Sequence, residues 1–366
     1  MKKFILTFFV LSLFACGKKD TTTPTPTPTK SSEKKISSFV ISSLTPNVTA
    51  SIDETNKTIT AIVPVGTDVS QLTPNIVLSD KATVAPKFGV IQDFTKTVAY
   101  IVTAEDGSFQ GYSVNIQAQP IFTLYNAVSG VAVIVDSKTF ATIATLPIGN
   151  GLTNIFPIGV SQVLLYNSTT GKAMIVDKKT FETVKTVTIE TGLKNGLYIG
   201  NNTILFLTIG GESLFLESNN LTTLKKGVVV PMTHQVLAGE NKEKTLLYTS
   251  NVGDLVFIDN KTLDGGYLRN VLKDWTSLVN LDNSVLFYNA TTGAAMTLST
   301  ASPYSKSKDL TFSKDWSSIV NIGFNQVLYY NAKTGDNQVT DNQNFAKIPA
   351  TLPASAGGNW TYIARL

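Results

Sequence analysis

The chain has 366 residues, 43% hydrophobic and only 15% charged, with a net charge of +4 at neutral pH. That balance suits a globular protein rather than a disordered one, and the length allows about two domains. One cysteine and one histidine exclude an intrachain disulfide and any metal site built from several Cys or His ligands. The small excess of lysines falls partly in the N-terminal segment, so no basic stripe remains for nucleic acid.

The first residues, "MKKFILTFFVLSLFAC", place two lysines before an apolar run from Phe4 to Ala15 that ends at Cys16. A bilayer-spanning helix needs about 20 apolar residues, so this run reads as a secretory signal over 1–15. Leu13-Phe14-Ala15-Cys16 resembles a bacterial lipobox. The resemblance implies that Cys16 becomes the lipidated first residue of the mature chain, which accounts for a lone cysteine in an exported protein. Each buried acyl methylene contributes roughly 0.8 kcal/mol to such an anchor. The following "CGKKD" resembles the tags of surface-exported lipoproteins of Bacteroidetes-type bacteria, which implies an outer-membrane lipoprotein facing the cell surface. Residues 16–34 continue as a tether. Its Thr-Pro alternation favours an extended, polyproline-like spacer of about 3 Å per residue. Asp20-Thr21-Thr22 resembles an O-glycosylation acceptor of the same bacteria.

From 35 to 118, short β-rich runs alternate with turns: "TITAIVPV" at 58–65, "NIVLS" at 75–79, "TVAYIVTA" at 97–104 and "YSVNIQA" at 112–118. In the third run Val98, Tyr100 and Val102 can share one face, with Ala99, Ile101 and Thr103 on the other. Roughly seven short strands separated by turns such as "ETNK" and "EDGS" predict an immunoglobulin-like β-sandwich. Val63-Pro64-Val65-Gly66-Thr67-Asp68, Leu72-Thr73-Pro74, Ala82-Thr83-Val84-Ala85-Pro86, Asp93-Phe94 and "VTAEDGS" at 102–108 resemble the Ig-like domains near the N-terminus of Bacteroidetes surface lipoproteins. That resemblance implies a spacer or presentation module without activity. Asp68, Asp93, Glu105 and Asp106 lack the regular spacing of a calcium loop and read as turn-capping acids.

Residues 121–366 are dominated by an internal repeat. An anchor position falls at Tyr125, Tyr166, Leu207, Tyr248, Tyr288 and Tyr330, with gaps of 41, 41, 41, 40 and 42 residues. A glycine follows five residues later in five repeats, and Gly211 comes one residue early in the third. Each anchor strand is preceded by a leading strand ("LTNIFPI", "LKNGLYI", "THQVLAG", "WTSLVNL", "WSSIVNI") and followed by two more, the first reading "VAVIVD", "KAMIVD", "ESLFLE", "DLVFID" or "AAMTLS". Four strands in about 41 residues predict a propeller blade, and six anchors predict six blades. The first repeat lacks its leading strand, while the final "WTYIARL" is a leading strand with nothing after it. The two pieces together are expected to make one blade and close the ring, removing open sheet edges. The fold class is therefore all-β: an Ig-like β-sandwich followed by a six-bladed β-propeller closed by its N- and C-terminal strands.

Catalytic signals are sparse. His234 stands alone, with no "GxSxG" or "HExxH" beside it. Asp336 and Asp341 in "TGDNQVTDNQN" lie close together without calcium-loop spacing. No cofactor or metal is implied. The expectation is a non-enzyme, although carboxylates from distant loops could still assemble a glycan hydrolase or lyase. Trp275, Trp316 and Trp360 share one register, and Tyr288 and Tyr330 recur beside Asn289 and Asn331. Two readings stand side by side. Flat rings beside amides suit sugars, whose C–H faces stack, and repeated aromatics also fill the space between adjacent blades. Asn126, Asn167, Asn289 and Asn331 are expected to bridge backbone in the turn after the tyrosine.

The later repeats, "W[ST]S[IL]VN" followed by "VL[FY]YNAxTG", resemble tectonin-like and other bacterial propeller lectins, which implies carbohydrate binding. The earlier ones, "VAVIVDSKTFATIATLPIG" and "AMIVDKKTFETVKTVTI", resemble surface-layer or YncE-like propellers, which implies a binding or scaffold module. The combined expectation is a lipid-anchored surface protein that binds glycan through Trp275, Trp316, Trp360, Tyr288 and Tyr330. A protein-interaction or nutrient-capture scaffold is the alternative.

Overall fold

The computed structural model describes residues 29–366 apart from 209–210, 230–233, 237–243, 250–251, 272–273, 282, 301–304 and 355–358. The signal segment and Cys16 lie outside the described residues, as does all but the end of the Thr-Pro run. Among the described residues no helix is long and apolar enough to cross a membrane.

Eight short strands precede the repeats: β1 (Ile36–Ile41), β2 (Val48–Thr49), β3 (Ser51–Asp53), β4 (Thr58–Val63), β5 (Pro74–Leu78), β6 (Thr83–Ala85), β7 (Val98–Thr103) and β8 (Phe109–Ala118). They form a three-stranded sheet, β2-β1-β5, and a five-stranded sheet, β3-β4-β8-β7-β6, which share one core. The alternation in β7 decides its orientation: Tyr100 and Val102 are sealed inside while Ala99 and Ile101 face out. Phe39 from the smaller sheet meets Tyr100 and Phe94 edge-on, with ring centroids 5.5 and 6.3 Å away. β4 runs parallel to β8, a pairing that strand alternation does not announce. The acids act in turns. Asp68 accepts from Ser70 N–H, Asp93 from Thr95 N–H and Asp106 from Ser108 N–H, at 2.9, 2.8 and 2.8 Å. Glu105 accepts from Ser31 N–H at 3.0 Å and pairs with Lys81.

Six four-stranded antiparallel sheets follow, one per repeat. The second to sixth begin with leading strands Asn154–Ile158, Lys194–Gly200, His234–Val236, Ser277–Asn280 and Ser318–Gly323. Their next strands end at Tyr166, Leu207, Thr249, Tyr288 and Tyr330. Third strands lie at Val131–Asp136, Lys172–Asp177, Glu212–Glu217, Asp254–Asp259, Ala294–Ser299 and Asn337–Asp341. The first sheet takes its leading strand from the C-terminal end of the chain. Tyr362–Arg365 pairs antiparallel with Ile121–Asn126, placing Tyr362 opposite Tyr125 and Arg365 opposite Phe122. Thr361 N–H also donates to Tyr125 O, and Leu366 N–H to Ile121 O, at 2.8 and 2.9 Å.

Burial of the anchor strands is two-sided, so they read as continuous apolar runs, whereas the fourth strands Thr142–Pro147 and Thr183–Thr188 are mostly exposed. Ile121–Asn126 is buried at all six positions. Six apolar cores lie between consecutive sheets. Tyr125 and Ala132 meet Ile155 and Leu165; Tyr166 and Ile175 meet Phe206 and Leu214; Leu205 and Phe215 meet Leu247 and Ile258. Tyr248 and Leu255 meet Trp275 and Phe287; Tyr288 meets Trp316 and Val327; Tyr330 and Leu328 meet Phe122, Leu124 and Trp360. The sixth core joins the last sheet to the first.

Two related turns recur among the described residues of these sheets. After the anchor strand, Asn126, Asn167, Asn289 and Asn331 accept hydrogen bonds from the N–H groups two and three residues on, at 2.9–3.2 Å. This is the backbone-bridging role expected of them. The glycine closing the turn is obligatory at Gly171 and Gly293: φ is +73° and +77°, and a Cβ would lie 2.4 Å from Ile189 O or Phe312 O. After the third strand, Asp136, Asp177, Asp259 and Asp341 make the same pair of bonds at 2.7–2.9 Å. Here the left-handed position holds Phe140, Phe181, Leu263 and Phe345 instead of glycine.

Candidate functional site

The five aromatic side chains expected to face a ligand are all buried. Trp275, Trp316 and Trp360 are 6%, 7% and 4% exposed, and Tyr288 and Tyr330 are 0% and 3%. Stacking on a sugar requires an accessible ring face, and these rings are packed into the cores between sheets. Trp275 meets Phe287 edge-on at 6.0 Å, and Trp316 is tilted on Tyr329 at 6.0 Å. Trp360 donates its Nε1–H to Pro353 O at 3.2 Å. As placed, none of the five can serve as a sugar platform. The structure brings Tyr288 to Trp316 and Tyr330 to Trp360, while Trp275 pairs with Tyr248.

The pairing rests on a repeated hydrogen bond. The tyrosine hydroxyl accepts the N–H of the residue that opens the next leading segment: Leu152 to Tyr125 at 3.1 Å, Leu193 to Tyr166 at 3.3 Å, Trp275 to Tyr248 at 3.3 Å, Trp316 to Tyr288 at 3.3 Å and Trp360 to Tyr330 at 2.9 Å. Three of these hydroxyls also donate to a carbonyl just upstream: Tyr125 to Gly149, Tyr166 to Glu190 and Tyr288 to Ser313, at 2.8, 2.6 and 2.7 Å. Burial pushes the phenols of Tyr166, Tyr248, Tyr288 and Tyr330 up, and the donated N–H offsets part of that shift. The third repeat, with Leu207 at the anchor, has no hydroxyl to offer.

The third residue of every leading segment is polar: Asn154, Asn195, Gln235, Ser277, Ser318 and Tyr362. Three of these meet in a cleft of about 390 Å³, where Asn154, Asn195 and Tyr362 are joined by Thr153, Ser168 and Lys194. The strands hold this cleft open by close backbone approach. Gly196 lies where a Cβ would sit 2.3 Å from Phe156 and 2.4 Å from Phe206, and its N–H donates to Asn154 Oδ1 at 2.9 Å. Asn154 Nδ2 donates to the Thr153 hydroxyl at 3.2 Å. Burial pushes the Tyr362 phenol up, while the Ile155 N–H that it accepts acts against that. The lining combines amides, hydroxyls, one lysine and Tyr362 with the apolar Leu193 and Leu197, and it includes no carboxylate side chain. Such a surface can exchange hydrogen bonds with a hydroxyl-rich ligand, and holds no acid-base pair. The signal for it in the sequence is the polar third column of the repeat; the conspicuous tryptophan in the first column draws the eye away.

The remaining sequence candidates are accounted for locally. Asp336 accepts from the Thr334 hydroxyl at 2.7 Å and Asp341 caps its own turn. Among the described residues no three His, Cys, Asp or Glu side chains gather as a metal site. His234 pairs with Thr249 through the backbone.

The sequence model of the family described as SGBP (surface glycan-binding protein), N-terminal, matches residues 20–116. No curated protein matches the chain. Among solved structures, a chain of the Nidogen/Laminin complex superposes with a TM-score of 0.52 at 11% identity, covering 67% of this chain and 98% of that one. A protein of unknown function from Bacteroides caccae gives 0.48 at 11% identity, over 68% and 99%. The β-propeller domain of Cps50 (Swd1) from Myceliophteria thermophila gives 0.44 at 12%, over 63% and 85%. At 11% identity the likeness to the Nidogen/Laminin chain is one of fold alone.

Proposed function

We propose that the chain is a lipid-anchored, surface-exposed glycan-binding protein without catalytic activity. Its parts are a signal over 1–15, a tether over 16–34 anchored through Cys16, an Ig-like sandwich over 35–118 and a six-bladed propeller over 121–366. The observation that carries the reading is the match of residues 20–116 to the N-terminal model of a surface glycan-binding family. The propeller reading is supported by six sheets whose cores run in sequence back to the first, with one sheet shared between the two ends of the repeat region. The glycan is held at the cleft of Asn154, Asn195 and Tyr362, where amides and hydroxyls converge.

A glycan array probed with the soluble fragment 31–366 tests this. Binding is expected for the parent and is lost on Asn195→Gly, which removes the amide while accommodating the φ of +48°. Trp316→Leu should bind like the parent. An array with no bound glycan would refute the reading in favour of a protein-partner scaffold. For the anchor, Cys16→Ala should release the protein from membranes, and unchanged retention would refute lipidation.

A further inference from the structure

The residue that follows the third strand of each sheet is small and neutral in five repeats: Ser137, Ser218, Asn260, Thr300 and Asn342. In the second repeat it is Lys178. The backbone there is unaltered, since Lys178 N–H donates to Ser161 O at 2.7 Å just as Asn342 N–H donates to Asn325 O at 2.7 Å. Only the side chain departs from the pattern.

Lys178 is 8% exposed and lines a cleft of about 370 Å³ where the first and second sheets meet the N-terminal sheets. Lys178 and Arg365 are the only charged side chains lining it. No ion pair or hydrogen bond from the Lys178 ammonium is formed among the described residues. Burial, and then the charge of Arg365, hold that ammonium down to about 8. A buried ammonium without an ion pair is strongly unfavourable, which makes the cleft beside Lys178 an attractive place for an anion. Asn115, Gln117 and Thr95 add exposed amides and a hydroxyl to the same walls.

We propose that this cleft is a second ligand site, which takes the carboxylate of an acidic sugar, with Lys178 and Arg365 facing the charge and the amides facing the hydroxyls. The sugar half of the proposal rests on the glycan-binding reading, whereas the anion half stands on the cleft itself.

Calorimetric titration of the full chain in detergent with glucuronate, glucose and acetate tests it. Glucuronate should bind, acetate at least tenfold more weakly, and glucose should show no dependence on Lys178. Lys178→Met should weaken glucuronate tenfold or more, Lys178→Arg should retain most of the binding, and Arg365→Gln should weaken it severalfold. Thermal melts of each variant establish that it is folded. Undiminished glucuronate binding by folded Lys178→Met would overturn the site, as would its persistence in Arg365→Gln if the methionine variant does not fold. Acetate binding as tightly as glucuronate would overturn the sugar assignment. Loss of glucuronate in Lys178→Met with no neutral glycan bound on the array would leave this site standing and remove the one at Asn195.

Discussion

The second and third sheets open their leading segments with Leu152 and Leu193, while the fifth, sixth and first open theirs with Trp275, Trp316 and Trp360. The hydrogen bond is the same in both groups: the N–H of that residue meets the hydroxyl of the preceding sheet's tyrosine. The burial is also the same, with Leu152 at 8% and Leu193 at 0% beside the tryptophans. A position that accepts leucine or tryptophan with one geometry is defined by apolar volume. Recurrence of an aromatic in a repeat is therefore evidence about packing between sheets before it is evidence about a ligand.

The most damaging way to break this comparison is to remove one of its members altogether. Deleting Trp360–Leu366 takes away the leading strand of the first sheet and the bond to Tyr330, and should abolish the cooperative thermal transition. Trp316→Ala should cost about 3–5 kcal/mol in chemical denaturation, the range for emptying a large buried site. Trp316→Leu should cost about 1–2 kcal/mol, because leucine already serves this position elsewhere; equal losses for the two would show that tryptophan has a role beyond volume. Tyr288→Phe keeps the ring and leaves Trp316 N–H and Ser313 O unpaired, for a loss of about 1–3 kcal/mol. The smallest effect is on pH dependence. Lys178 titrates near 8 in the folded chain and near 10.4 when unfolded. Between those values the unfolded state binds more protons, so stability rises with pH by at most roughly 1 kcal/mol per unit. Below 8 both states are protonated and the contribution is flat. In Lys178→Met the rise should vanish from denaturation midpoints measured across pH 8–10.

Much of the fold was legible because the repeat is carried by backbone-determining residues. The Asn and Gly of the first turn and the Asp of the second mark the strand ends, and the third strands lie where "VAVIVD", "KAMIVD", "ESLFLE", "DLVFID" and "AAMTLS" place them. The unfinished "WTYIARL" requires the pairing seen with Ile121–Asn126. Pairing of β4 with β8 was not legible, since alternation gives a strand's faces but not its neighbour. The proposed glycan cleft was harder to see for a different reason. Aromatics stand out in sequence, whereas Asn154, Asn195 and Tyr362 form one polar column only after three leading strands are set side by side. Lys178 is an ordinary lysine until Ser137, Ser218, Asn260 and Asn342, its equivalents in other repeats, are seen to be buried.

Leu207 gives the six seams unequal strength. Five carry a hydroxyl that ties one sheet to the next, whereas Leu207 offers none, and Lys225 reaches Leu263 O and Asp264 across the seam between the third and fourth sheets. Seams tied unequally do not open equally. Amide exchange and limited proteolysis should find the joint after Leu207 first. Any partner or ligand that parts two sheets would be expected to do so most cheaply there.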